Sequence, residues 1–424
     1  MRAPALFNGW PPKMVVALGV VIVAGIAIRA FFLPDPGYRA DINEFVDAVQ
    51  RIARLGLGHA YDQPMSFGPV MADIWGLQSA LDPAFRAGVG AQDVGLRMFM
   101  KLPAVLADFG IAAILVYVFR DRPVRAVVAA AIVLLNPAIW IDSAWWGQFE
   151  SMYTLALLAA FVLAADKREL AASVFLAVAL MTKPQALPML LPFAAWFLAY
   201  GGVWTLLRAT AAGGLTVLVL WLPFIQGFGP ANYLHSLLYY SNDKFGFVSF
   251  GAWNAWWLYI ETVSHGVVRD TVAVLGGIQA KYIAYAVTGV VALVIAWAVA
   301  RLRTVRALAM GLVATALVSF CFLTQMHERY SYAALVFLVL LLPDWRAIGL
   351  EIALSVVFVL NLIAAAAIVG NADLHVDLFG PTGLAGSVAM VVISLVALAL
   401  ALAPAVRGMR RDTSASSGAA TSAA

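Results

Sequence analysis

Apolar residues run through this chain in long unbroken blocks joined by short polar segments. They do not alternate with polar ones, so they predict helices rather than barrel strands. Twelve blocks read as membrane spans, at about 14–33, 94–119, 126–141, 152–165, 170–182, 186–200, 205–225, 280–300, 306–324, 330–343, 347–370 and 384–406. The expected fold is therefore an all-α polytopic membrane bundle. The first block carries Arg29, Phe31 and Phe32 where a signal peptide would have small cleavage-site residues, so it reads as an uncleaved span.

The charges near the block ends sort onto two sides. Arg120, Arg122, Arg125, Lys167, Arg168, Arg301, Arg303, Arg306 and Arg346 share one side with both chain ends, which the positive-inside bias makes cytoplasmic. Residues 1–13 form a cytoplasmic start, 14–406 the membrane domain, and 407–424 a Ser/Ala/Thr-rich tail that reads as disordered. The other side has two large loops, about 34–93 and 226–279. The first holds eight of the chain's 23 acidic residues, and the second is rich in aromatics, including Phe245, Phe250, Trp253, Trp256 and Trp257. All five histidines, 59, 235, 265, 327 and 375, fall outside or at the outer edge.

Within the first outer loop, Ile42, Phe45, Val46, Val49, Ile52 and Ala53 recur at helical spacing and predict an amphipathic surface helix. A second short helix is expected over 69–80. Asp41 caps or opens the first helix, or it is a carboxylate at a cavity mouth, placed to take a proton from a hydroxyl. Glu44 shares its face by i, i+3 spacing. Three further outer-edge groups could carry chemistry. His327 and Arg329, in His327-Glu-Arg-Tyr330, suit a phosphate clamp or an interfacial anchor. Lys183, in Lys183-Pro-Gln185, sits at a helix break, as a phosphate ligand or a snorkelling lysine. Trp146, Gln148 and Glu150 suit a sugar-binding edge or an interfacial tryptophan belt. Asp108, inside the second block, needs a partner, and Lys101 lies two turns away on one face.

Composition narrows the function classes. The chain is 63% hydrophobic and 12% charged, with a mean hydropathy of +0.90, so lipid is its solvent. Its net charge of +4 reflects scattered loop arginines and lysines, not a nucleic-acid surface. Cys321 stands alone, which excludes a disulfide within the chain, and no metal or cofactor set is expected. Phosphate-binding glycine loops, a nucleophile elbow and an Asp-x-Asp pair are all missing from the sequence. A lipid-linked flippase or transporter, or an oligosaccharide polymerase or ligase, shares parts of this pattern. Transporters, however, place their coupling groups near the midplane.

The pieces occur in one order on one side: Asp41 and its helix, Lys101 to Asp108, Asn136-Pro137, Trp146-Gly-Gln-Phe-Glu150, Lys183-Pro-Gln185 and Met326-His-Glu-Arg-Tyr330. In this the chain resembles the GT-C superfamily of polyprenyl- or dolichyl-phosphate-sugar glycosyltransferases. It is most similar to bacterial relatives of the second mannosyltransferase of glycosylphosphatidylinositol synthesis, and more distantly to the dolichyl-phosphate-glucose glucosyltransferases. Glu150 stands where the family usually has Asp, and Phe67-Gly-Pro69 where it often has Tyr-Pro-Pro. The resemblance implies a plasma-membrane hexosyltransferase with an extracytoplasmic site. Its partners would be a polyprenyl-phosphate sugar, mannose before glucose, and a lipid-linked or envelope glycan acceptor. Asp41 would be the general base. His327, Arg329 and Lys183 would bind donor phosphate, and Glu44, Trp146, Gln148, Glu150 and Gln185 the sugar or acceptor. Second-loop aromatics would close over the cavity.

Overall fold

A computed structural model describes residues 9–368 and 376–421, with side chains as far as Met409. His375 and Arg2 lie outside the described residues, as do the side chains of Arg410 and Arg411. The fold is helical. In chain order the helices are α1 (Pro12–Phe32), α2 (Arg39–Leu55), α3 (Pro69–Leu81), α4 (Val94–Val118), α5 (Pro123–Leu135), α6 (Pro137–Trp140), α7 (Glu150–Ala165) and α8 (Glu169–Thr182). They continue as α9 (Leu190–Trp221), α10 (Gly229–Tyr239), α11 (Ala255–Tyr259), α12 (Ala280–Leu302), α13 (Val305–Phe322), α14 (Tyr332–Val339), α15 (Trp345–Ile368) and α16 (Gly380–Thr421). Among the described residues the only strands form a small antiparallel hairpin, β1 (Ala273–Leu275) with β2 (Ile278–Gln279).

Seven helical stretches among the described residues are long and apolar enough to cross a membrane. An eighth arises if α5 and the segment Pro137–Trp146, bent by 45°, count as one. The expected twelve are not reached, for three reasons. The blocks at 186–200 and 205–225 count as one stretch, Pro184–Phe224, although the backbone leaves the helical region between them at Gly202 (φ 71°, ψ −171°), which divides α9 into two helices across a kink. Helices α7 and α8 have 16 and 14 residues, short of the roughly 20 that a bilayer needs. The block at 330–343 yields only the eight-residue α14, and every side chain in it is buried by protein. An interior helix and a lipid-facing one need the same apolar composition, so hydropathy alone counts both. At the chain end, the α16 backbone runs on to Thr421, over most of the segment expected as a tail.

The first long loop folds as its periodicity predicts. Helix α2 buries Ile42, Phe45, Val46, Val49 and Ile52, and α3 lies beside it. Phe45 packs against Phe67, Trp75 and Phe149, with ring centroids 4.9–5.8 Å apart. This apolar cluster fixes α2 against the start of α7.

Two buried polar knots hold the same end. Asp108 on α4 pairs with Arg29 on α1 at 2.8 Å and also accepts from Ser143 Oγ (2.6 Å) and Tyr332 Oη (3.3 Å). The pairing of Asp108 with Lys101 suggested by their spacing does not form. Lys101 Nζ instead donates to three backbone carbonyls, Asp35 and Trp145 at 2.8 Å and Ala144 at 3.0 Å. Both choices satisfy buried charge that would otherwise be unpaired.

Candidate functional site

Four chain segments meet at the end of the bundle that carries the two long loops. The first is the opening turn of α2. Its N-cap is Tyr38, whose side chain makes no capping bond, and Asp41 sits inside the first turn. The Asp41 carboxylate looks away from its own helix. Its Oδ2 accepts from Trp146 Nε1 at 2.9 Å and from Gln148 Nε2 at 2.5 Å. Capping therefore does not explain this residue.

The second segment presents those two donors. After α6 the chain widens into a π-helical turn, Ile141–Trp146, which Gly147 closes at φ 88°. A Cβ on Gly147 would lie 2.5 Å from Ile42 Cδ1 and 3.1 Å from Lys101 Cγ. The left-handed backbone therefore favours glycine, and a side chain there would also have to displace the tip of Ile42. Such π-turns are frequent at functional sites because they re-aim side chains. Here the turn directs Trp146 and Gln148 to Asp41, and Glu150 opens α7. Tyr38 stacks on Trp146, with centroids 4.7 Å apart and planes 6° from parallel.

The third segment is the break after α8. Lys183 is extended, at φ −152° and ψ 131°, and Pro184 starts a 3-10 turn, as the Lys-Pro pair predicts. Buried Lys183 forms an ion pair with Glu150 Oε1 and lies 3.5 Å from Gln148 Oε1. The fourth is the loop before α14. Arg329 pairs with Glu328 and reaches Glu150 Oε1 at 3.4 Å and Asp41 Oδ2 at 3.9 Å. One continuous polar cluster therefore runs from Asp41 through Gln148, Lys183 and Glu150 to Arg329 and Glu328.

Electrostatics separate the roles of these groups. Burial disfavours charge on Arg329, but the Glu328, Asp41 and Glu150 carboxylates outweigh it and hold the guanidinium protonated well above its usual range. Burial lowers Lys183, and Glu150 opposes that. Burial drives His327 well below its ordinary value, and the Arg329, Lys183 and Lys244 cations add to the effect. Its ring is thus neutral, with Nε2 buried and without a partner, available to donate or accept one bond. Burial raises Glu328, against the pull of Arg329. Burial also lifts the Tyr38 phenol to about 12, assisted by Asp41 and Glu328.

Most of the candidates converge here: Asp41, Trp146, Gln148, Glu150, Lys183 and Arg329, with His327 at the edge. Gln185 lies on the turn after Lys183, with its Oε1 buried and unpartnered. Glu44 does not join them. It accepts from Tyr240 Oη at 3.1 Å and Lys244 Nζ at 3.0 Å, linking α2 to the second long loop. From that loop, Phe245 and Phe250 pack on the His327 ring at 4.9 and 4.7 Å. Trp253 and Trp257 turn away, into a separate cluster with Leu378 and Ala364.

Sequence reasoning missed Glu328, although it stands inside the marked tetrapeptide. It also missed Tyr38, and Asp142 at the end of an apolar block, where an acid is itself a signal. Among the described residues no group of three His, Cys, Asp or Glu side chains could hold a metal ion.

The sequence matches the ALG6, ALG8 glycosyltransferase family over residues 84–398. The chain belongs to that family. No curated protein matches it. Family membership makes it a membrane glycosyltransferase that uses a lipid-linked sugar donor and a glycan acceptor. The GT-C superfamily that the motifs resemble is thereby supported. The match falls on the more distant of the two resemblances, and a specific kinship with the glycosylphosphatidylinositol mannosyltransferase is not shown. The matched stretch includes Trp146, Gln148, Glu150, Lys183, Gln185, His327 and Arg329, and it begins after Asp41 and Glu44.

Proposed function

We propose that this ALG6, ALG8 family member transfers a single hexose from a polyprenyl-phosphate sugar to a lipid-linked or envelope glycan, at the extracytoplasmic face of a bacterial plasma membrane. One observation carries the reading. A carboxylate with no cap to serve, Asp41, lies 3.9 Å from a guanidinium that is held charged, in a cluster with a second cation. Base and phosphate ligands are thus within reach of one substrate.

In this reading Asp41 removes the proton from the acceptor hydroxyl. The hydroxyl oxygen attacks the anomeric carbon, and the bond from that carbon to the phosphate oxygen breaks. Lipid phosphate leaves with the electron pair, its charge held by Arg329 and Lys183 and by a hydrogen bond from neutral His327. A single displacement inverts the anomeric centre. Trp146 and Gln148 hold Asp41 in place. A recess of about 290 Å3 opens beside its turn, lined by Pro36, Ile42 and Ala91 together with Arg39, Asn43, Gln92 and Arg97, and these four polar side chains could meet the hydroxyls of an acceptor. Placing the site outside, with both termini inside, rests on the distribution of basic loops.

The sugar is read as mannose from the motif order, and family membership favours glucose as the second reading. The test uses membranes supplied with polyprenyl-phosphate mannose or polyprenyl-phosphate glucose, each labelled in the sugar. Transfer of one labelled hexose to an endogenous lipid or glycan supports the proposal. Transfer of a preassembled oligosaccharide, or uptake of label without transfer, overturns it.

A further inference from the structure

Asp142 takes no part in the transfer chemistry above, yet it lies directly behind the site on the π-helical turn. Its side chain is fully enclosed, and neither carboxyl oxygen has a hydrogen-bond partner. Its backbone carbonyl is occupied, accepting from the Gly147 and Gln148 amides at 3.1 and 2.9 Å. The titratable groups near enough for their charges to act on it are Glu150 and Tyr153 on α7, Lys183 after α8, Arg329 before α14, Tyr332 on α14 and Asp108 on α4. An ionised carboxylate enclosed without a donor is strongly unfavourable.

The charged neighbours are already engaged elsewhere. Asp108 is saturated by Arg29, Ser143 and Tyr332. Lys183 is directed at Glu150 and Gln148, and Arg329 at Glu328 and Glu150. Glu150 engages these cations through Oε1, while its Oε2 is buried with no partner. These two acids therefore carry three buried oxygens without a hydrogen-bond partner. A single shared proton supplies what is missing, as neighbouring carboxylates that cannot both ionise share one. Glu150 already meets both cations through Oε1 while Asp142 meets none, so the proton is assigned to Asp142.

We propose that Asp142 is a positioning residue: as a neutral acid it donates a hydrogen bond to Glu150 Oε2 and so fixes the carboxylate that aligns Lys183 and Arg329 for the donor phosphate. The inference rests on the donor-site reading only for its last clause. The proton on Asp142 also spares the incoming phosphate one more negative charge.

Infrared difference spectra of the purified full chain, wild type against Asp142→Asn, read the protonation without substrate. The expected result is the carbonyl stretch of a protonated carboxylic acid at neutral pH, lost in Asp142→Asn. A difference spectrum with only an ionised carboxylate overturns the proposal. In transfer assays the Asn amide donates the same bond, so Asp142→Asn rescues what Asp142→Ala loses. The donor KM stays within about threefold for Asn and rises about tenfold or more for Ala, with kcat little changed. A folded but inactive Asp142→Asn overturns the proposal as well. If the wild type uses no polyprenyl-phosphate hexose, the function reading fails while the infrared result still stands or falls by itself.

Discussion

Asp41 and Asp47 stand on one helix with different surroundings: the first is held by Trp146 and Gln148, and the second is exposed. Asp41→Asn should insert normally and lose about 10²–10⁴-fold in transfer, the usual contribution of a positioned base. Asp47→Asn should keep most of its activity, measured with labelled donor in membranes. Arg329→Lys replaces a planar fork by a point charge. It should raise the donor KM by roughly ten- to a hundredfold, the worth of a hydrogen bond to a charged group of about 1.5–3 kcal/mol. His327 gives a pH dependence whose sign is fixed. Its folded value lies below 6.5, so below that pH the unfolded chain binds the extra proton. Stability contributed by the neutral ring is complete above pH 6.5 and falls as pH drops, by up to about 1.4 kcal/mol per unit. Thermal inactivation in detergent should steepen on acidification in wild type and less so in His327→Gln. At this scale the sequence was informative where residue type and place in the chain sufficed, as for Asp41, Lys183 and Arg329, which the fold brings together. It failed where the partner is tertiary. The seven-residue spacing of Lys101 and Asp108 suggested a pair, but α1 supplies Arg29 to one and backbone carbonyls hold the other. Glu44 was misplaced for the same reason, since i, i+3 spacing puts it near Asp41 but cannot foresee Tyr240 and Lys244.

Periodicity at the scale of elements recovered α2, because one apolar face against one polar face leaves little choice, and the short helix expected over 69–80 forms as α3. It did not reveal the π-helical turn, which owes its shape to Gly147 and to the close passage of α2. Gly147→Ala should cost about 1–3 kcal/mol from backbone strain and displace Trp146 and Gln148 from Asp41. The expected readout is a lower melting temperature together with a loss of transfer larger than the loss of folded protein. A variant with wild-type stability and activity would show that the turn tolerates a side chain and that its geometry matters little.

For the whole molecule, the helical membrane class was legible from continuous apolar runs, and the number of crossings was not. Helix α14 is apolar because protein surrounds it, whereas α1 exposes Val16, Val20 and Val23 as a lipid-facing helix does. Orientation can be tested directly, because Cys321 is buried and gives little background to thiol reagents. A cysteine at Asp47 should react with a membrane-impermeant reagent in intact cells. One at Arg303 should react only after permeabilisation. The reverse pattern would place the site in the cytoplasm and remove the outer-face reading.

The Lys101 ammonium grips the segment leading into α2 and two carbonyls of the tryptophan-bearing turn at once. It acts as a rivet between them. The base and the two groups that hold it must then travel as one rigid plate whenever the enzyme breathes. Lys183 and Arg329 hang on other elements, so the seam along which the protein can part to admit a bulky lipid-borne sugar runs between the plate and these cations.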